Sequence, residues 1–115
     1  RNARLSVHFR GDKLDLKGSR VYFWALSNKL GTRWHMKAKP LAVPEGGWSE
    51  RQVIVLEPDE KLWNRSWSRY PNTPASLDEV LRECESYGFS FLGFNGEVTG
   101  KFAMDELVIE PAAKP

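Results

Sequence analysis

The stretch Ser76 to Ile109, SLDEVLRECESYGFSFLGFNGEVTGKFAMDELVI, decides how the rest of the chain is read. It opens with Ser76-Leu77-Asp78-Glu79, a capping box: a serine hydroxyl accepts from an amide of the first helical turn while a glutamate three residues on reaches back. A helix starts there. Leu77, Val80, Leu81, Cys84 and Tyr87 recur at spacings of three and four, and Gly88 stands where a helix closes in the left-handed conformation. The helix is therefore expected to end near Tyr87, with Cys84 on its apolar stripe as a buried, inert thiol. Phe89 and Phe91, then Phe102, Met104 and Leu107, follow in two extended runs joined by the turn-prone Asn95-Gly96. One short helix feeding a pair of strands is the expected anchor.

Upstream, the signals are those of strands. Leu5, Val7 and Phe9 alternate with Arg4, Ser6, His8 and Arg10, the period of a half-buried strand, which Gly11-Asp12 is expected to end. Lys13 to Ser19 reads as a loop or a short edge strand. From Arg20 to Ser27 both faces carry apolar groups, as in a central strand, and the pattern does not declare whether Phe23 or Trp24 points inward. Trp34, Met36 and Ala38 alternate with Arg33, His35, Lys37 and Lys39 until Pro40. After the Pro44-Glu45-Gly46-Gly47 loop, Trp48 is expected to act as a structural plug. Val53-Ile54-Val55-Leu56 is a β-branched and aliphatic run expected to be covered on both sides. Pro58 to Ala75 is the longest irregular piece, and loops of that length carry function or local structure of their own.

The totals bound the class. The 115 residues fit one domain, placed at 1–110 with a tail at 111–115, and form a core without disulfides, since Cys84 is the single cysteine. Seventeen Lys and Arg against fifteen Asp and Glu are too balanced for a nucleic-acid footprint. No apolar run is long enough to insert in a membrane, and Arg1-Asn2-Ala3-Arg4 leads into a strand rather than a signal peptide, as in a module of a larger protein. Strands separated by turn-rich links, with one helix on a connection, predict an all-β antiparallel sandwich.

The linear order then resembles a known pattern. Gly11-Asp12-Lys13-Leu14, Gly18-Ser19-Arg20-Val21-Tyr22-Phe23, Gly47-Trp48 before an apolar strand, Ser76-Leu77 through Val80-Leu81, and Gly100 to Ile109 with Asp105 are similar to phrases of the laminin IV (laminin B) domain. The closing phrase also resembles the last strand of jelly-roll carbohydrate-binding modules. The resemblance spans Phe9 to Glu110. It implies a jelly-roll β-sandwich of galactose-binding-like type: an extracellular, non-catalytic module, secreted as part of a larger protein. The chain departs from it in the aromatic group Trp63, Trp67 and Tyr70, and in Glu106 where Asn is commoner.

Candidate chemistry follows from side-chain types. Only His8 and His35 are available as imidazole bases, both on polar strand faces and without metal-ligand spacing, so catalysis is not expected. Calcium takes six to eight oxygens, and the resemblance makes Asp105 the position where a structural ion would bind. In Lys61 to Tyr70, arginines interleave with aromatics. Trp63, Trp67 and Tyr70 could stack on sugar rings while Arg65 and Arg69 hydrogen-bond hydroxyls, carboxylates or sulfates. The weightier structural reading makes Trp63 and Trp67 a helical turn with at least one of them in the core. Tyr22, Trp24, His35 and Lys37 form a second candidate surface if the second and third strands pair, suited to an extended polysaccharide. The expected partner is a polysaccharide or glycan, with a protein partner as the alternative.

Overall fold

The computed structural model describes residues 2–93 and 95–111. Among these are seven strands, β1 (Arg4–Asp15), β2 (Arg20–Ser27), β3 (Thr32–Met36), β4 (Gln52–Val55), β5 (Trp63–Ser68), β6 (Ser86–Leu92) and β7 (Thr99–Glu110). A 3₁₀ turn over Glu60–Leu62 and one helix, α1 (Leu77–Arg82), complete the chain. The strands form two sheets, ordered β4-β1-β7 and β5-β3-β2-β6, the all-β, two-sheet class that the sequence predicts. The expected tail lies beyond Pro111 outside the described residues. The chain divides into two compact units, Arg1–Val21 with Leu41–Glu57 and Phe91–Pro115, and Tyr22–Pro40 with Pro58–Ser90.

In the first unit, β1 runs antiparallel between β4 and β7, with Leu5 opposite both Ile54 and Ile109. Leu5, Val7 and Phe9 are fully buried, each contributing about 1.5–3 kcal/mol. The Phe102 ring packs on Phe9 at 4.9 Å and edge-on to Phe91 at 5.3 Å. Gly11 does not end β1, which continues to Asp15 because β7 pairs along it as far as Thr99. Two features permit this: Lys13 takes a positive φ of 50°, and Gly100, at φ 109°, lies where a Cβ would overlap the Lys13 carbonyl. Val53-Ile54-Val55 is covered on one side only: Ile54 is buried, while Val53 pairs with Ser6 on the other face and is 57 % exposed. Trp48 is likewise no plug, at 48 % exposure.

In the second unit, Phe23, Ala25, Trp34, Met36 and Trp63 are buried, and the Phe23 ring meets Trp63, Tyr87 and Phe89 with centroids about 6 Å apart. The capping box at Ser76 forms as expected, with Ser76 Oγ accepting from the Glu79 amide at 3.2 Å and Glu79 Oε1 accepting from the Ser76 amide at 3.1 Å. The helix is shorter than its periodicity predicts. It ends at Arg82, and Tyr87-Gly88 belongs to β6 rather than to a helical cap. The Glu85 amide donates to Leu26 O at 3.0 Å, and the Glu85 carboxylate accepts from the Asn28 and Lys29 amides, so the segment is held by the β2-β3 turn. Cys84 is consequently exposed rather than buried. Partial desolvation still pushes its thiol up, against the lowering effect of backbone hydrogen bonds to Leu26 and Ser86, so it stays protonated at neutral pH.

Candidate functional site

In the piece from Pro58 to Ala75, Trp63 and Trp67 lie on a strand and form no helical turn. That strand is β5, an edge strand of the four-stranded sheet. Met36 pairs with Trp63, His35 with Asn64 and Trp34 with Arg65; the register then slips by one residue, so that Arg33 pairs with Trp67 and Thr32 with Ser68. The slip is a bulge at Ser66. A bulge sets two residues of one strand against one of its partner and re-aims the side chains beyond it. Without it, Trp67 would share the face of Trp63 and Arg65; with it, Trp67 joins the face of Arg33 and His35. Ser66 reaches the same face, where its Oγ lies 2.6 Å from His35 Nδ1 and accepts from Arg33 Nε at 3.1 Å.

The same face continues onto β2, because Trp24 pairs with His35 and Leu26 with Arg33. Burial settles which side of β2 points inward: Phe23 is buried and Trp24 and Tyr22 are half-exposed. The Trp24 ring is centred 6.5 Å from the His35 ring and lies against the Gly88 backbone of β6, where an added Cβ would come within 2.8 Å of Trp24 Cζ2. Gly88 is therefore a seat for the indole. Across the sheet the face carries Trp67, Arg33, Ser66, His35 and Trp24, with Ser90 of β6 completing the set.

His35 is 8 % exposed, and its Nε2 lies 3.1 Å from Ser90 Oγ. Burial first, and the neighbouring Arg33 charge second, push its pKa down. A neutral imidazole has one donor and one acceptor, and the Ser66 and Ser90 hydroxyls complement either tautomer. A serine 2.6 Å from an imidazole is also two-thirds of a nucleophilic triad. The third position here is a hydroxyl instead of a carboxylate, and Arg33 opposes the imidazolium that such chemistry needs. His35 thus acts as a neutral crosslink that holds β3, β5 and β6 side chains in register.

At the end of β5 lies an aromatic cluster. Trp67 and Tyr70 are 40 % and 49 % exposed, and the Arg69 guanidinium is centred 5.9 Å from the Trp67 ring and 6.0 Å from the Tyr70 ring, within cation–π range of both. The Arg69 amide donates to Gly31 O at 2.7 Å. Gly31, at φ 62°, turns the β2-β3 hairpin and leaves space that a Cβ would take from Arg69 Cβ and the Tyr70 ring.

Of the residues singled out from sequence, Trp24, Tyr22, His35 and Trp67 share one sheet face, and Arg69 and Tyr70 adjoin it. Trp63 does not belong to it: at 1 % exposure it offers no surface to a ligand. Arg65 pairs opposite Trp34, on the other side of the strand from Trp67. Lys37 is exposed just past β3, with its amide bonded to Leu62 O at 2.9 Å. Arg33, Ser66, Ser90 and Gly88 are added by the structure. Arg33 was legible as the first polar position of the Arg33-His35-Lys37 alternation; the other three depend on the bulge and on strand pairing.

At Asp105, the carboxylate accepts from the Glu106 amide at 2.9 Å, and Glu106 Oε2 lies 3.6 Å from His8 Nε2. Among the described residues no cluster of three or more His, Cys, Asp or Glu is placed to hold a metal ion. Comparison with family models, with curated proteins and with solved structures gives no match for this chain.

Proposed function

We propose that the chain is a non-catalytic binding module for an extended saccharide, which it takes on the face of the four-stranded sheet carrying Trp24 and Trp67. The observation that supports this reading best is the combination on that face: two accessible indoles, one seated on Gly88, with the Arg33 guanidinium and the Ser66–His35–Ser90 set between them. Indole faces stack on the apolar faces of sugar rings, while fixed donors and acceptors select the hydroxyl pattern. The polar groups are preorganised by one another, so little ordering cost falls on binding. A secreted, extracellular setting and jelly-roll winding belong to the same reading, through the laminin IV-like and carbohydrate-module-like phrases of the sequence.

A second reading, a module that binds protein, draws on a different surface. Val53 and Val108 pair on either side of Ser6 on the outer face of the three-stranded sheet, 57 % and 41 % exposed. Arg51 Nη2, 2.6 Å from Ser6 Oγ, lies with them.

Electrophoresis of the chain through native gels containing soluble polysaccharides tests the proposal. Retardation by at least one polysaccharide, removed by Trp24→Ala and by Trp67→Ala but kept by Val53→Ser, is the expected result. Retardation that survives both tryptophan substitutions would place binding elsewhere and overturn it.

A further inference from the structure

The charges around the aromatic face are unevenly satisfied. The second unit holds six carboxylates against eight Lys and Arg side chains. Each of the six has a partner other than Arg33 and Arg69. Asp59 accepts from the Lys61 amide, Glu60 from the Leu77 amide and Glu79 from the Ser76 amide. Asp78 pairs with Arg82, Glu83 with Lys29, and Glu85 accepts from the Asn28 and Lys29 amides. None reaches Arg33 or Arg69, which have no carboxylate partner among the described residues.

These two arginines flank one indole. Arg33 pairs directly across from Trp67, and its Nε is held by Ser66 Oγ at 3.1 Å, which leaves the two terminal nitrogens of the guanidinium for a ligand. Arg69 lies between the Trp67 and Tyr70 rings. An arginine fork matches the two oxygens of a carboxylate or sulfate. Two forks around a stacking platform, with their countercharges withheld, complement an anionic ring.

Resting on the saccharide reading above, we infer that the bound polymer is acidic, with the carboxylate or sulfate of one sugar unit held by Arg33 and Arg69 while its ring stacks on Trp67. A neutral polymer would leave both guanidinium groups without a counterion in the complex. Arg69 exchanges its ring contacts for the anion at little cost, since an exposed cation–π contact is weak.

The test is titration calorimetry of the full chain with polygalacturonate (carboxylate), dextran sulfate (sulfate), neutral dextran and galactan, and an oligothymidylate as a non-saccharide polyanion. The expected outcome is binding to polygalacturonate or dextran sulfate, with whichever binds naming the acid group. Arg33→Gln and Arg69→Gln should each weaken it by about tenfold or more, as loss of a charge-assisted hydrogen bond does. Affinity should also fall as salt rises. Conservative Arg69→Lys should restore part of the affinity, since charge returns without the fork. Equal binding of the neutral polymers, unchanged by Arg33→Gln, would overturn the acidic inference and leave the saccharide reading standing. Binding of oligothymidylate alone, or of no polysaccharide, would overturn both.

Discussion

Gly88→Ala is the substitution that tests the seating of Trp24 most sharply, because two opposing effects can be separated. A strand glycine replaced by alanine in a compatible conformation stabilises a protein by about 0.4–1 kcal/mol, through the lost freedom of the unfolded chain. At Gly88, however, the new Cβ would stand 2.8 Å from Trp24 Cζ2, 3.0 Å from Cε2 and 3.2 Å from Nε1. Carbon atoms rest at about 3.5–4.0 Å, so the indole must lift by roughly 1 Å. Overpacking of this kind costs about 1–3 kcal/mol. The ring is half-exposed and can swing outward, which keeps the cost toward the lower end. The net expectation for the single variant is a loss of about 1 kcal/mol, read in urea unfolding as a midpoint lowered by about 0.5 M for an m-value near 2 kcal/mol per M. In a Trp24→Ala background the clash is gone, and the same substitution should stabilise by about 0.4–1 kcal/mol. The difference is a coupling of about 1–2 kcal/mol in a double-mutant cycle. If Gly88→Ala has the same effect in both backgrounds, the indole does not rest on Gly88.

Three further outcomes are expected. The depressed pKa of His35 means that, as pH falls below about 6.5, the unfolded chain takes up a proton that the folded chain refuses. Stability therefore declines from about pH 6.5 down to the lowered folded-state value and levels off below it, and in His35→Gln this segment of the stability–pH curve should be flat. Ser76→Ala removes the acceptor that caps α1 and should cost about 1 kcal/mol in thermal or urea unfolding, with little change in the fluorescence of the tryptophans. Trp63→Ala, at a fully buried position, should cost about 3–5 kcal/mol; Trp67→Ala, on the exposed face, should cost less than about 1 kcal/mol, and equal losses would contradict the burial that separates them.

The parts of this fold legible in the sequence are those decided by neighbours along the chain. The capping box at Ser76 declares itself because its donor and acceptor are three residues apart, and the alternation Leu5-Val7-Phe9 because one face of β1 is buried. Where the outcome depends on a partner distant in sequence, periodicity misleads. Tyr87 and Gly88 look like the end of a helix, yet they extend into β6, where Gly88 receives Trp24 from a strand more than sixty residues earlier. Trp63 and Trp67, four apart, suggest a helical turn, but they sit on opposite faces of β5 because a bulge at Ser66 shifts the register. Gly11 looks like a strand end until Gly100 allows β7 to follow β1 past it. The interleaving of two units along the chain carries no compositional mark at all. For the candidate face the consequence is specific: the aromatic residue types and the Arg33-His35 alternation were legible along the chain, while Ser66, Ser90 and Gly88 joined them only through the bulge and strand pairing.

Saccharide binding on the Trp24–Trp67 face is reported directly by the five indole N–H resonances of the chain. Trp34 Nε1 donates to Ala75 O and Trp63 is buried, whereas Trp48 is exposed on the other unit, which makes these three internal controls. In a two-dimensional nitrogen–proton spectrum recorded through a titration with an oligosaccharide of the polymer that retards the chain, the Trp24 and Trp67 indoles should move together with one saturating affinity while Trp34, Trp63 and Trp48 stay in place. Movement of Trp48 alone, or of no indole at all, would contradict the account.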